Sequence, residues 1–302
     1  MPSILVTGGL GYTGRAIVRQ LAAQNIKVIS YNRDYSEQST DFVTSVQGEL
    51  YDVPRLVRTI EKYEVDRIIH TAALSHPDLS IELPMTTVVA NIDGTVNVME
   101  AMRLAGIKRL VNFSSEAVYG NHPAPVDESS ATMPTTPYGV TKLAVEHFGR
   151  VYNGLYGLQT ISLRFTEVYG PGNRMPQILR DIIKTVLRGE PFVAEKGADH
   201  LYHFIHIEDV ARATILAATA ETVKSSVFNI FGDGAWTLSQ AADLLRKLLP
   251  DALISIGPGH FDLDRHGPWS QSVAIRELGY APLHTLGDGL AGYVGWLGTN
   301  EY

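Results

Sequence analysis

The sequence predicts an α/β fold: a doubly wound parallel sheet with a smaller C-terminal α/β lobe. Three observations predict it. Short runs rich in β-branched residues alternate with helix-length amphipathic segments, as in βαβ units buried on both faces. A glycine-rich loop follows the first run directly. Beyond residue 166 the alternation gives way to glycine- and proline-rich loops between shorter elements.

The strand runs are SILVTG (3–8), KVISYN (27–32), FVTSVQG (42–48), DRIIHTA (66–72), RLVNFSS (109–115) and QTISLRF (159–165). Helical spacing occupies 12–24, 54–63, 84–105 and 138–156, and the glycine of LAGIK (104–108) stops the third helix before the next strand. Residues 1–165 therefore read as a dinucleotide-binding domain of Rossmann type, with a return to the sheet near 203–231. Residues 166–302 read as mainly a substrate-binding lobe, its loops marked by YGPGNRMP, FGDGAW, GPGHFD and RHGPWS.

Of 302 residues, 45% are hydrophobic, enough for a large core. Net charge is −7, and no basic cluster exceeds two residues. That pattern lacks the footprint of a nucleic-acid or anionic-membrane binder and favours small-molecule partners. Cysteine is absent, which excludes disulfides, thiolate zinc sites and a cysteine nucleophile. MPSILVTGG enters the first strand without a basic leader, and no run of about 18 apolar residues follows. A soluble, cytoplasmic protein is expected.

Gly8, Gly11 and Gly14 stand between the first strand and the first helix. There they allow a tight turn, close approach of a pyrophosphate to the amides, and alignment of the helix N-terminus with the phosphates. At the end of the second strand, where an acid would bond the adenosine 2′-hydroxyl, the chain has Asn32 followed by Arg33. A guanidinium can pair with a 2′-phosphate that a carboxylate would repel, so NADP is expected, with NAD the alternative. Asp34 beside Arg33 leaves open a solvated loop pair. Glu49, with Leu50 after it, is placed to meet the adenine, or is a loop carboxylate.

Tyr138 and Lys142 in TPYGVTK are four residues apart, so a helix puts both on one face, where an ammonium can favour phenolate. Ser114 and Ser115 end a parallel strand at the carboxyl edge where open α/β sheets bind ligands. His76, His200, His203 and His206 are scattered without paired acids, and no metal site is expected from them.

With these motifs the chain resembles the extended short-chain dehydrogenase/reductases, in particular the nucleotide-sugar epimerases and dehydratases. TGGLGYTG, including Tyr12 and Thr13, is similar to the family's cofactor loop, and HTAALSHP (70–77), with Ala72, Ala73 and Ser75, to the loop lining the dinucleotide. The stretches 91–120 and PYGVTK resemble its catalytic segments, LRFTEVYGPG (163–172) its entry to the substrate lobe, and HFIHIEDVARA (203–213) its strand–helix return. The resemblance implies that Ser115 bonds the substrate oxygen, that Tyr138 is the acid/base, and that Lys142 lowers the tyrosine pKa and holds the nicotinamide ribose. It implies epimerisation or oxidoreduction of a secondary hydroxyl on a sugar or sugar nucleotide, and a homodimer formed through helices 84–105 and 138–156. A dehydrogenase or reductase of a non-nucleotide polyol, sugar acid or other alcohol is the alternative. A cofactor-sensing scaffold would be free to lose the serine, tyrosine and lysine, and all three are present.

Three departures stand out. Dehydratases of the family carry an Asp-Glu pair after the serine, whereas this chain has Glu116 and Ala117, so elimination is disfavoured. Glu167 replaces the usual asparagine before VYGP, and Tyr202 replaces an arginine that grips diphosphate. Ser75, Glu116, Glu167, Arg174 and Tyr202 are the candidate substrate residues, with Arg174, Arg180 or Arg265 able to assume the phosphate contact.

Overall fold

The computed structural model describes residues 3–37 and 39–300. Its first half runs β1 (Ser3–Thr7), α1 (Tyr12–Ala23), β2 (Val28–Asn32), β3 (Val43–Gln47), α2 (Val53–Lys62), β4 (Val65–His70), α3 (Pro77–Glu82), α4 (Pro84–Val88), α5 (Gly94–Ala105), β5 (Arg109–Ser115), α6 (Pro137–Tyr156) and β6 (Gln159–Phe165). There follow β7 (Glu167–Tyr169), α7 (Ile178–Leu187), β8 (Phe192–Ala194), β9 (Leu201–Tyr202), β10 (Phe204–His206), α8 (Ile207–Thr219), β11 (Val227–Ile230), β12 (Trp236–Thr237), α9 (Leu238–Leu248), β13 (Ile254–Ile256), α10 (Ser272–Leu278) and α11 (Leu286–Thr299).

Seven parallel strands form one sheet in the order β11-β6-β5-β4-β1-β2-β3. The strand runs are apolar throughout because both faces are covered. In β1, Ile4 and Val6 join the core shared with α1 and α8, while Leu5 faces the core of α2 and α5. Val6, Ile69, Val111 and Ile161 line up in register across four strands, each fully buried. Each such side chain contributes roughly 1.5–3 kcal/mol on burial.

Two expectations change. The single helix over 84–105 is α4 and α5 joined by a π-helical turn, Val89–Asp93. The turn carries Asn91, whose Oδ1 accepts from the Leu74 amide at 2.8 Å and whose Nδ2 donates to Leu74 O at 3.1 Å and to Thr141 Oγ1 at 3.0 Å. One side chain thus ties the loop after β4 to α6, a typical use of a π turn. The return through 203–231 is also divided. β10 pairs with β7 in a separate two-stranded ladder, and only β11 joins the main sheet. The remaining elements enclose a second core around Leu179, Ile182, Ile183, Leu238, Leu245 and Leu290. No helix among the described residues is long and apolar enough to cross a membrane.

Candidate active site

Gly8, at φ +70°, turns the chain out of β1, and a Cβ there would lie 2.9 Å from Ala72 backbone atoms. A Cβ at Gly14 would lie 2.1 Å from Gly8 O, so the loop folds flat against the start of α1. Gly11 caps α1 without a side-chain bond, which leaves the first-turn amides facing out of the turn. Uncapped amides and a flat glycine turn fit a dinucleotide pyrophosphate. Tyr12 donates to Gly170 O at 3.2 Å, joining this loop to the segment after β7; Thr13 is partly buried beside it.

At the end of β2 the Asn32 amide turns inward. Its Oδ1 accepts from the Leu10 amide at 2.8 Å, and its Nδ2 donates to Ser30 O and Oγ at 3.1 and 2.9 Å. Asn32 therefore braces the glycine loop. Arg33 is exposed and lies 3.6 Å from Asp34. Glu49 is exposed; its carbonyl accepts from Tyr31 at 3.2 Å, and Leu50 is where a Cβ on Gly94 would pack. Ala72 is partly buried against Gly8, while Ala73 and Ser75 are exposed.

Across the sheet, Ser115 ends β5 and its Oγ accepts from the Ala117 amide at 3.2 Å, opening a 3₁₀ turn over Glu116–Val118. Thr136 caps α6 by accepting from Gly139 N at 3.1 Å, Pro137 begins it, and Tyr138 N donates to Ser80 Oγ at 3.0 Å. A Cβ on Gly139 would come within 2.5 Å of Ala117 O, so this glycine lets α6 approach the Ser115 turn closely. Burial pushes the Tyr138 phenol up to about 12, a hydrogen bond from Ser115 opposes the rise, and Glu116 and Glu167 add to it. Lys142 Nζ donates to Phe113 O at 2.8 Å and sits 5.5 Å from the Tyr138 ring centre. Burial brings the amine down to about 8.

Further groups reach these residues from the C-terminal half. Glu167, on β7, is held up to about 7, by burial first and then by the Glu116 charge, with the Gln177 amide opposing. Tyr202 stacks on Phe204 at 5.0 Å between centroids, and burial followed by the charges of Glu167 and Glu116 raises its pKa. His266 Nδ1 is 3.6 Å from Glu116 Oε2. Burial lowers its pKa, but the Glu116 contact, the Gly120 carbonyl and Asp264 leave it above the ordinary value. Its loop is held to the segment after Ser115 by His122 N to Arg265 O at 2.8 Å and Gly267 N to His122 O at 2.9 Å. Arg174 is exposed, three residues before Gln177 in the chain. His200, His203 and His206 are packed neutral rings, each near pKa 4 chiefly through burial. Among the described residues no group of three or more potential ligands is arranged for a metal ion.

Sequence reasoning missed His266 and Gln177 as neighbours of these carboxylates. RHGPWS registered only as a loop, and nothing local links residue 266 to residue 116. Ser80 and Asn91, which hold the loops flanking α6, carried no signal beyond ordinary polarity.

The fold and this gathering of residues define a dinucleotide-binding α/β protein of the short-chain dehydrogenase/reductase type. Residues 4–230 match the family described as "NAD dependent epimerase/dehydratase family", and the chain belongs to it. It is 29% identical to dTDP-glucose 4,6-dehydratase of Salmonella typhimurium, with 97% of this chain and 92% of that protein covered. Among solved structures it is similar to MoeE5 in complex with UDP-glucuronic acid and NAD, at 29% identity, TM-score 0.87, and 97% and 98% coverage of the two chains. It is also similar to the UDP-glucose 4-epimerase of Thermus thermophilus in complex with NAD, at 26% identity, TM-score 0.85, and 98% coverage of each.

Proposed function

We propose that the protein is an NAD(P)-dependent epimerase or oxidoreductase acting on a secondary hydroxyl of a sugar-type substrate through a keto intermediate. The observation that carries this reading is the convergence of Ser115, Tyr138 and Lys142 at the carboxyl edge of the sheet. Residues 1–165 with β11 would hold the dinucleotide, and 166–302 mainly the substrate.

The turn of Gly8, Gly11 and Gly14 and the first amides of α1, through Tyr12, Thr13 and Gly14, would hold the pyrophosphate. Arg33 would meet the adenosine end, with Glu49 and Leu50 near the adenine, and Ala72 and Ala73 along the dinucleotide. Lys142 would bond the nicotinamide ribose. The bound nicotinamide supplies a hydride acceptor and donor. Tyr138 exchanges the proton of the substrate hydroxyl, and Ser115 holds the same oxygen, so both act on the atom where charge develops. NADP is the tighter cofactor in this reading because no carboxylate occupies the end of β2. NAD is the alternative, supported by the complexes of the two structural relatives.

Glu116, Glu167, Tyr202 and Ser75 are the proposed substrate contacts, with Arg174 at the outer end. The buried His203 Nε2, which has no partner among the described residues, suits a polyhydroxylated ligand. The relatives support a nucleoside diphosphate sugar. The acidic lining instead favours a free sugar, sugar acid or other polyol, because a carboxylate beside a diphosphate weakens binding. A thermal-shift screen of cofactor-loaded protein against sugar nucleotides, free sugars and sugar acids separates the two, since a ligand at a hundred times its Kd adds about 2.7 kcal/mol. Stabilisation by the nucleoside diphosphate alone selects the first. Silence from every sugar ends this reading.

A homodimer through α5 and α6 completes the reading. Val140, Phe148, Val151 and Leu155 form an exposed apolar row on α6, and Leu104 is exposed on α5. A monomer by light scattering at micromolar concentration removes this element and leaves the chemistry untouched.

A further inference from the structure

Behind the catalytic edge lies a buried ionic network that the proposed chemistry does not use. Glu146 is one helical turn beyond Lys142 on α6. Its carboxylate accepts from Arg164 Nε at 2.9 Å and Nη2 at 2.6 Å, and from Ser114 Oγ at 2.5 Å. Arg164, on β6, also donates through Nη1 to the Tyr119 hydroxyl at 2.6 Å, and that hydroxyl lies 2.8 Å from Asn229 Oδ1 on β11. The Glu146 and Arg164 side chains are each only 5% exposed. Ser114 precedes Ser115, Tyr119 follows the turn that Ser115 opens, and α6 carries Tyr138 and Lys142. One carboxylate and one guanidinium therefore join every segment that bears a member of the triad.

We infer that Glu146 and Arg164 are positioning residues: the pair fixes the rotation and height of α6 against β5, and so the place of Lys142 relative to Ser115. Desolvating an ion pair is expensive, and well-packed apolar residues often replace such a pair without loss of stability. A fork of fixed directions does what an apolar contact cannot, because it specifies one register of helix on strand. Lys142 shows what depends on that register. Its amine is buried and its ammonium donates to Phe113 O, one residue before Ser114 on the same strand. A small slide of α6 would break that bond or expose the amine.

The experiment separates positioning from stability. In the double variant E146M/R164L the pair is removed as a unit, so no charge is left buried alone. Melting temperature is expected to hold or rise. The Lys142 amine, followed by NMR after selective labelling of lysine Nζ and assigned with Lys142→Arg, is expected to titrate near 8 in the starting protein, lowered by burial. In the variant it should move up toward the ordinary lysine value as burial is relaxed. NADPH affinity, measured by fluorescence titration, should fall about tenfold, in the range of one lost charge-assisted hydrogen bond. The affinity arm rests on the proposed role of Lys142 toward the ribose, whereas the titration does not. A shifted titration with unchanged affinity keeps the positioning inference and removes that role. An unshifted titration in a folded variant overturns the inference. If the double variant does not fold, Arg164→Lys is the second test: it keeps a charge opposite Glu146, removes the two-pronged fork that sets the register, and should move the Lys142 titration in the same direction by less. No movement there overturns the inference as well.

Discussion

The sheet side and the C-terminal side of the candidate site hold their polar groups differently. On the sheet side, Ser114, Glu146, Arg164, Tyr119 and Asn229 satisfy one another in a closed network, and the triad is carried on regular elements tied to it. On the C-terminal side, Glu167, Gln177, Tyr202, His203 and His266 come from short strands and loops. Buried polar atoms among and beside them, His203 Nε2, Thr166 Oγ1 and Trp269 Nε1, have no partner among the described residues. A satisfied network holds reacting groups in place, and unsatisfied atoms leave bonding capacity for a ligand. This contrast supports the proposed division, with reaction on one side and recognition on the other.

The largest expected effect tests the sheet side. Tyr138→Phe keeps the ring and its packing and removes the oxygen proposed to exchange the proton. Turnover on a ligand identified by the thermal-shift screen should fall about 10²–10⁴-fold, with melting temperature and cofactor affinity nearly unchanged. Surviving turnover would place the acid/base elsewhere and erase the division of labour.

The C-terminal side should respond in binding and pH dependence. Glu167 titrates near 7 in the folded protein, against 4.5 as its ordinary value. The ionised carboxylate accepts from a hydroxyl more strongly than the neutral acid does, so affinity for a polyol should rise as pH increases through about 7. Glu167→Gln should flatten that profile and weaken binding by about tenfold at high pH. Stability moves the other way. A carboxyl whose folded pKa is raised binds its proton more tightly in the folded state, so its contribution is lost as pH climbs from about 4.5 to about 7. Over that window the melting temperature of the starting protein should fall relative to Glu167→Gln. Parallel pH curves for the two proteins would show that Glu167 is not the titrating group.

The same contrast explains what could be read from the sequence. Strands buried on both faces announce themselves as continuous β-branched runs, and all six lie within a residue or two of their expected bounds. Tyr138, Lys142 and Ser115 were legible because spacing on one helix and position at a strand end are local properties. The π turn at Val89–Asp93 was not, since it depends on Asn91 reaching Leu74 and Thr141. Nor was the company of Glu116, because His266 arrives from 150 positions away through a ladder of backbone bonds. Asn32 shows the same limit at one residue. Its position at the end of β2 was evident, but only the fold reveals that its amide turns in to Leu10 and Ser30.

That inward turn sets the smallest expected effect, at the adenosine end. With Asn32 braced against the glycine loop, discrimination between NADP and NAD would fall, on the proposed reading, to Arg33. This guanidinium is exposed and already lies 3.6 Å from Asp34, so a 2′-phosphate must compete with a carboxylate and with water. Exposed ion pairs are worth about 0–1 kcal/mol, and a bidentate phosphate contact somewhat more. NADP should bind the starting protein more tightly than NAD, by about three- to tenfold on that scale. Arg33→Ala should remove most of the difference by weakening NADP and leaving NAD unchanged, because only the phosphate contact is lost. Fluorescence titration with NADPH and NADH measures both. Salt sharpens the test: an exposed contact is screened, so the preference should shrink as ionic strength rises. Equal affinities before the substitution would mean that Asp34 keeps Arg33 from the phosphate, and NAD would then be the cofactor on which the proposed chemistry runs.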